Sequence, residues 1–335
     1  MLVYVMRRLL VLPFILLGVS LVLFFLTHLV PGDPAKVMAG EHASPKTVEI
    51  IRKEFGLDKP LHEQYGLYVT NLFRGNLGTS IVTRRPVAQD LKLYFPATLE
   101  LTVCAMFLTV LVGLPLGILS ATKKDQGVDH LVRFTALSGV SMPVFWLGLL
   151  LQLVLYRYLG LLPIGGRLDV RTAAPPQVTG LYTVDSLLAH DIQTFLEAFH
   201  HLALPAFVLA FGSVAVISRV TRSSMLETLA QDHIRTARAK GLPEKKVLIK
   251  HAFRNAAIPL ITVLGMQIGL LLGGAVVTET VFAWPGMGRL AVDSIRMGDY
   301  PVVQAIVVIF AFIVIISNLA ADILAALIDP RIRLE

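Results

Sequence analysis

Six stretches of 21 to 24 consecutive residues carry no Asp, Glu, Lys or Arg: 9–32, 101–122, 134–156, 198–218, 255–278 and 300–321. At 1.5 Å of rise per residue each reaches about 32–36 Å as a helix, enough to cross roughly 30 Å of hydrocarbon. Soluble folds rarely need one such run, so six predict an all-α integral membrane protein with six transmembrane helices. Composition agrees, with 55% of the 335 residues hydrophobic and 16% charged, against about 25% charged in soluble domains. That balance excludes an ordinary soluble enzyme, a disordered chain and a collagen-like fibre. The one cysteine, Cys104, leaves no internal disulfide, thiolate cluster or two-cysteine redox motif.

The fourth run is the weakest, since it contains His200, His201 and Pro205. Its apolar part is placed at 202–218, with both histidines expected as solvated groups at the membrane interface. No carboxylate or cysteine stands near them at metal-ligand spacing, so no metal site is expected. The first run follows Arg7 and Arg8 but is longer than the apolar region of a signal peptide, and no small-x-small site precedes the Pro31-Gly32-Asp33-Pro34 turn. It is expected to stay as an anchor.

Lysine and arginine set the expected orientation. Segments 1–8, 121–133, 219–255 and 329–335 hold 16 Lys+Arg in 65 residues, whereas 30–96, 157–201 and 279–300 hold 14 in 134. The denser set belongs inside, which puts both termini in the cytoplasm. The formal charge of +7 is therefore a topology signal, and no motif points to nucleic acid.

The segments between the runs have structure of their own. Ser44 as N-cap, Pro45 at the first helical position, a Val48, Ile51, Phe55 stripe and a Gly56-Leu57 end describe a short amphipathic outer helix. A second segment starting at Pro86 carries Val87, Leu91 and Tyr94 on one stripe and leads into Pro96. Segment 157–201, with Gly165-Gly166 and Pro175-Pro176, reads as a loop with little regular structure. In 279–300, Trp284-Pro285-Gly286-Met287-Gly288 reads as a tight turn, with Trp284 either an aromatic anchor at the interface or part of a gate.

Segment 219–255 is unlike the rest: 37 residues with nine Lys+Arg, three acids and Gly241-Leu242-Pro243 at its middle. Met225, Leu226, Leu229 and Ala230 share a face before the glycine; Pro243 suits the first position of a second helix, with Glu244 near its positive end. Gly241 provides the break. This helix–Gly–helix hairpin could bind anionic lipid head groups or dock into a groove on a soluble protein.

Catalytic signatures are missing. There is no G-x-x-x-x-G-K-[ST], G-x-S-x-G, H-E-x-x-H or cysteine pair, so the chain is not expected to hydrolyse ATP itself. The charges in or beside the spans are Glu100, near the outer end of the second, and Asp322, near the inner end of the sixth. Gln152, Gln267 and Asn318 are the deeper polar groups, expected as interhelical hydrogen bonds ahead of pathway contacts.

In order along the chain stand R-R-L-L, V-P-G-D-P-A at 30–35, F-G-L-D-K-P-L at 55–61, G-N-L-G-T-S at 75–80, P-A-T-L-E-L at 96–101 and S-M-P-V-F-W at 141–146. T-R-S-S-M-L-E at 221–227, D-H-I-R-T-A-R-A-K-G-L at 232–242, H-A-F-R-N at 251–255, W-P-G-M-G at 284–288, D-Y-P-V-V-Q at 299–304 and D-P-R-I-R at 329–333 follow. This succession resembles the membrane-spanning permease subunits of bacterial ATP-binding-cassette peptide importers, closest to the B-type subunit of dipeptide systems. The resemblance implies a type I importer permease fold in the inner membrane, with residues 1–93 as an N-terminal helix and periplasmic extension and 94–335 as a five-helix core.

The same resemblance makes 219–255 the loop that couples to the ATPase, carried by Asp232, His233, Arg235, Thr236, Ala237, Gly241, His251, Arg254 and Asn255. The broader importer signature has Glu-Ala-Ala where this chain has Arg235-Thr236-Ala237, and His233 replaces a usual Tyr. The chain would need no cofactor of its own, ATP being bound by two partner ATPase subunits. A second permease would complete a heterodimer, and a periplasmic or lipoprotein peptide-binding protein would deliver the peptide. Oligopeptide, glutathione, haem or nickel cargo are the alternatives within the family. A self-sufficient channel or secondary carrier is the alternative outside it.

Overall fold

The structure is a computed structural model that describes residues 2–29, 35, 44–54 and 58–328. Its helices, in chain order, are α1 (Leu2–Leu29), α2 (Pro45–Glu54), α3 (Leu61–Phe73), α4 (Val87–Thr122), α5 (Gly127–Ser141) and α6 (Val144–Tyr158). They continue as α7 (Tyr182–Leu188), α8 (Ile192–Leu229), α9 (Asp232–Ala239), α10 (Glu244–Val281), α11 (Met287–Met297) and α12 (Tyr300–Ile328). The Pro31–Pro34 turn, the Gly56-Leu57 helix end and segment 329–335 lie outside the described residues.

Among the described residues, five helices are long and apolar enough to cross a membrane: α1, α4, α8, α10 and α12. The third charge-free run, 134–156, does not form the single straight helix that its length suggests. It divides into α5 and α6, bent by 107°. Met142 is extended (φ −87°, ψ 123°) because the following Pro143 disfavours helical geometry in the residue before it. Each limb has 15 residues, about 22 Å, so neither spans alone.

The most extensive helix pairing is α4 along α8, and glycine permits it. A Cβ at Gly117 would lie 2.6 Å from the Ser218 carbonyl oxygen and overlap Thr221, while one at Gly113 would come within 3.1 Å of Ile217. Gly113 and Gly117 form a G-x-x-x-G face that lets two apolar helices approach where no hydrophobic effect drives them together. One end of this pair is locked by charge. Arg222 on α8 donates from Nε and Nη2 to the buried Asp129 of α5 at 2.7 and 2.8 Å, and Ser120 of α4 donates to the same carboxylate. A bidentate pair with a further donor satisfies a carboxylate that would otherwise be costly to bury.

α10 packs on α8 and α12, and α1 lies outside against α12. Gln304 donates to Thr27 at 2.8 Å and Arg8 pairs with Asp322 at 3.3 Å, so α1 is tied at both ends. The Asp322 expected near the inner end of the last span thus has its cation on the first.

Three of the segments expected outside depart from expectation in structure. Residues 87–94 are not a separate element but the first turns of the 36-residue α4, with Pro96 inside it. Segment 157–201 contains α7 and the start of α8, so it is far from an irregular loop. The Trp284 turn leads directly into α11, whose Met287, Ala291 and Ser294 are buried on one face.

Candidate functional site

α8 runs past its apolar stretch to Leu229 and stops where Gln231 turns extended (φ −78°, ψ 153°). The eight residues of α9 follow. Gly241 then adopts φ +73°, a left-handed conformation that side-chain-bearing residues avoid, although the space around it is open. Its N–H donates to the Arg238 carbonyl at 2.9 Å and Leu242 N–H to Ala237 at 3.4 Å, ending α9. Pro243 is the cap residue of α10 and not its first residue, a shift of one position from expectation. Arg238 clamps Glu244 across the turn at 2.6 and 3.2 Å, a contact that no sequence periodicity announces.

The second limb of this hairpin is no independent helix. It passes through a π-helical stretch, Val247–Phe253, straight into the α10 span. α9 is the separate piece, and it is amphipathic. Ile234 and Ala237 are buried in a cluster with Met225 of α8, Val247, Ala252 and Ala256 of α10 and Ala121 at the end of α4. Asp232, His233, Arg235 and Thr236 face outward, and the Asp232–Arg235 pair at 3.6 Å is so exposed that it contributes little. At the base, the Asn255 amide donates to the His233 ring nitrogen and to the His251 carbonyl, both at 3.2 Å. Arg254 is exposed beside them.

The structure therefore gathers His233, His251 and Asn255 into one bonded group, puts Asp232, Arg235 and Thr236 on the free face, and places Gly241 at the tip. Ala237 points the other way, into the bundle. A polar helix face held rigidly on three spans can occupy a groove of a soluble partner and transmit its movement.

The four pathway candidates do not converge; no hydrogen bond joins any two of them among the described residues. Trp284 is neither an interface anchor nor a free gate. It is buried with Leu101, Leu209, Leu271 and Ala275, and its Nε1 donates to the Ala97 carbonyl at 2.9 Å. Gln152 donates to the carbonyls of Ile164 and Val281 at 2.7 and 3.3 Å, and the second of these is the expected interhelical bond, from α6 to the end of α10. Gln267 is buried within α10, and Asn318 on α12 is half-buried near Gly265.

Around Trp284 the end of the bundle away from the hairpin is built on buried carboxylates. The Glu279 carboxylate accepts from Thr98 at 2.6 Å and from Arg289 N–H at 2.9 Å, and Thr98 accepts from Met287 N–H at 2.7 Å, so two spans together cap α11. Gly288 is required by contact, since a Cβ there would meet the Val276 backbone at 2.5 Å. Glu100 bonds Arg167 at 2.6 Å, and that guanidinium lies 3.5 Å over the Tyr182 ring. His200 and His201 are not merely solvated. They bond the carbonyls of Leu161 and Gly165 at 2.8 and 2.9 Å, pinning the 159–181 segment to α8. Asp185 accepts from the N–H groups of Val178, Thr179 and Gly180 and from the Thr179 hydroxyl. Burial alone would raise its pKa, yet these donors together hold it below the usual carboxylate value.

Comparison with known proteins gives concordant matches. The model of the family described as binding-protein-dependent transport system inner membrane component matches residues 113–334, and that of its N-terminal part matches residues 1–102. A probable D,D-dipeptide transport system permease protein of Escherichia coli is 50% identical over 315 residues, which is 94% of this chain and 93% of that protein. A dipeptide transport system permease protein of Alkalihalophilus pseudofirmus is 45% identical over 333 residues, 99% of this chain and all of its own length. An inward-facing structure of the MetNI methionine ABC transporter superposes with a TM-score of 0.51 at 17% identity, covering 69% of this chain and 93% of that one, which supports the fold.

Proposed function

The chain belongs to the binding-protein-dependent transport system inner membrane components, and from that premise we propose that it is the permease subunit of an ATP-driven dipeptide importer. The peptide cargo is supported by the names of relatives 45–50% identical over nearly the whole chain. Both termini and the α8–α10 hairpin are assigned to the cytoplasm on the density of Lys and Arg. A second permease completes the pathway, two ATPase subunits receive the hairpins, and a binding protein delivers peptide on the opposite face.

The observation that carries the coupling role is α9 itself, fixed to the bundle by Ile234 and Ala237 while presenting Asp232, Arg235 and Thr236. Closure of the ATPases on ATP moves α9, and α8 and α10 move with it because they share that apolar seat. The permease thereby exchanges two packings, one open to each side. Gln267 and Asn318 are retained as polar groups available to the pathway, whereas Trp284 and Gln152 serve to hold the outer end together.

Gly241→Val tests this reading. It imposes a β-branched residue on φ +73°, costing about 1 kcal/mol or more and re-aiming α9 against α10. Membrane abundance should stay near normal while ATP-dependent dipeptide uptake is abolished and the ATPase no longer responds to the binding protein. Arg235→Glu should act likewise. Normal uptake by a stably expressed Gly241→Val chain would remove the hairpin from the mechanism.

A further inference from the structure

A cavity of about 530 Å³ opens between the ends of α4, α5 and α8 nearest the hairpin, and its polar lining is basic: His130 and Arg133 from α5, Arg219 and Arg222 from α8, with Ser120 and Ser223. No carboxylate lines it. Arg222 is already spent on Asp129, but Arg133 and Arg219 take part in no ion pair among the described residues. Arg133 and Arg219, on neighbouring helices, thus line one chamber whose nearby carboxylate, Asp129, is held by Arg222 and Ser120.

A second cavity of about 310 Å³ lies deeper in the bundle and is almost wholly apolar, bounded by Leu116 of α4, Leu131 and Thr135 of α5, and Phe207 and Phe211 of α8. The two spaces share Val132, Ala136 and Ser218 as walls, so the basic chamber adjoins an apolar slot along the same three helices. Phe134 and Leu137 at the rim are more than 60% exposed, so no residue of this chain closes the entrance and its rim is apolar.

A charged head joined to an apolar tail matches both spaces at once. A free inorganic anion leaves the slot unfilled. A peptide would bring its ammonium group among arginines. A basic pocket between transmembrane helices, at headgroup depth, suits a phosphate monoanion held by paired guanidinium groups. We propose that this chamber and slot bind an anionic phospholipid, its phosphate between Arg133 and Arg219 and one acyl chain along Phe207 and Phe211. The proposal is independent of the peptide cargo and of the coupling role of α9.

The test uses the full-length chain in nanodiscs of equal phosphatidylglycerol and phosphatidylcholine, extracted in mild detergent, with retained lipid counted by native mass spectrometry. The chain should keep phosphatidylglycerol in preference to phosphatidylcholine. Removing two cationic contacts in Arg133→Gln/Arg219→Gln should lower that preference by about 30-fold. Thr135→Phe, which fills the slot and leaves both arginines, should also release the lipid, and excess inorganic phosphate should not displace it from the unaltered chain. Equal retention of the two lipids, or an unchanged preference in the double variant, would overturn the proposal. So would a Thr135→Phe chain that keeps its phosphatidylglycerol, which would reduce the chamber to a phosphate site. Loss of the lipid when the chain is purified within its complex would assign the slot to a partner helix instead.

Discussion

Asp185 shows what single residues do outside the spans. Its carboxylate gathers three backbone N–H groups and a hydroxyl, and these hold its pKa below that of the unfolded chain even though burial opposes them. A depressed folded pKa means that the stabilisation is fully present above about pH 3.9, the unfolded value, and is lost as pH falls through the lower, folded value. Protection of the Val178, Thr179 and Gly180 amides, taken against the intrinsic exchange rate at each pH, should therefore be high at neutral pH and fall only in acid below that point. Asp185→Ala should remove that protection at all pH values, with a local cost of about 1–3 kcal/mol; equal protection in the variant would show that the donors have other partners. Whether such a residue is legible in the sequence depends on how far away its partner lies. Gly241 was readable because Gly-Leu-Pro carries its own backbone chemistry. Arg167, His201 and Glu279 were not, their partners lying 67, 36 and 181 positions away.

At the scale of elements, counting charge-free residues found the five continuous spans but could not see the break at Met142-Pro143, since apolar residues on both sides of it suit hydrocarbon equally well. The proline was the available signal. In the same way the W-P-G-M-G turn drew attention from the strongly amphipathic α11 behind it, although Met287, Ala291 and Ser294 follow helical spacing. The G-x-x-x-G of α4 was visible in the sequence too, but its meaning depends on having α8 opposite it. Gly117→Leu should force the two helices apart and lower stability by about 1–3 kcal/mol or more, read as a fall in the thermal midpoint of the detergent-solubilised chain. Gly18→Leu is the matched control, because no atom lies within 4 Å of a Cβ there. Equal midpoints for the two variants would mean that the α4–α8 approach is not tight.

For the whole molecule, the composition settled the class and the motif order settled the family, but orientation rests on charge density alone. It makes a direct prediction in a Cys104→Ala background. A cysteine at Lys240 should react with an impermeant maleimide only after the inner face is exposed, and one at the fully exposed Val170 should react in intact cells. The reverse pattern would invert the molecule and place the hairpin out of reach of any ATPase. The feature with the widest reach is the length of α8. Its 38 residues make a rod of about 57 Å, with α9 hung from one end and the 159–181 segment pinned near the other through His200 and His201. Tilting such a lever by about 5° carries one end about 5 Å past the other, close to one helical turn. A small rotation imposed at the hairpin therefore reappears, without any relay of side chains, as a full-turn displacement of the opposite rim.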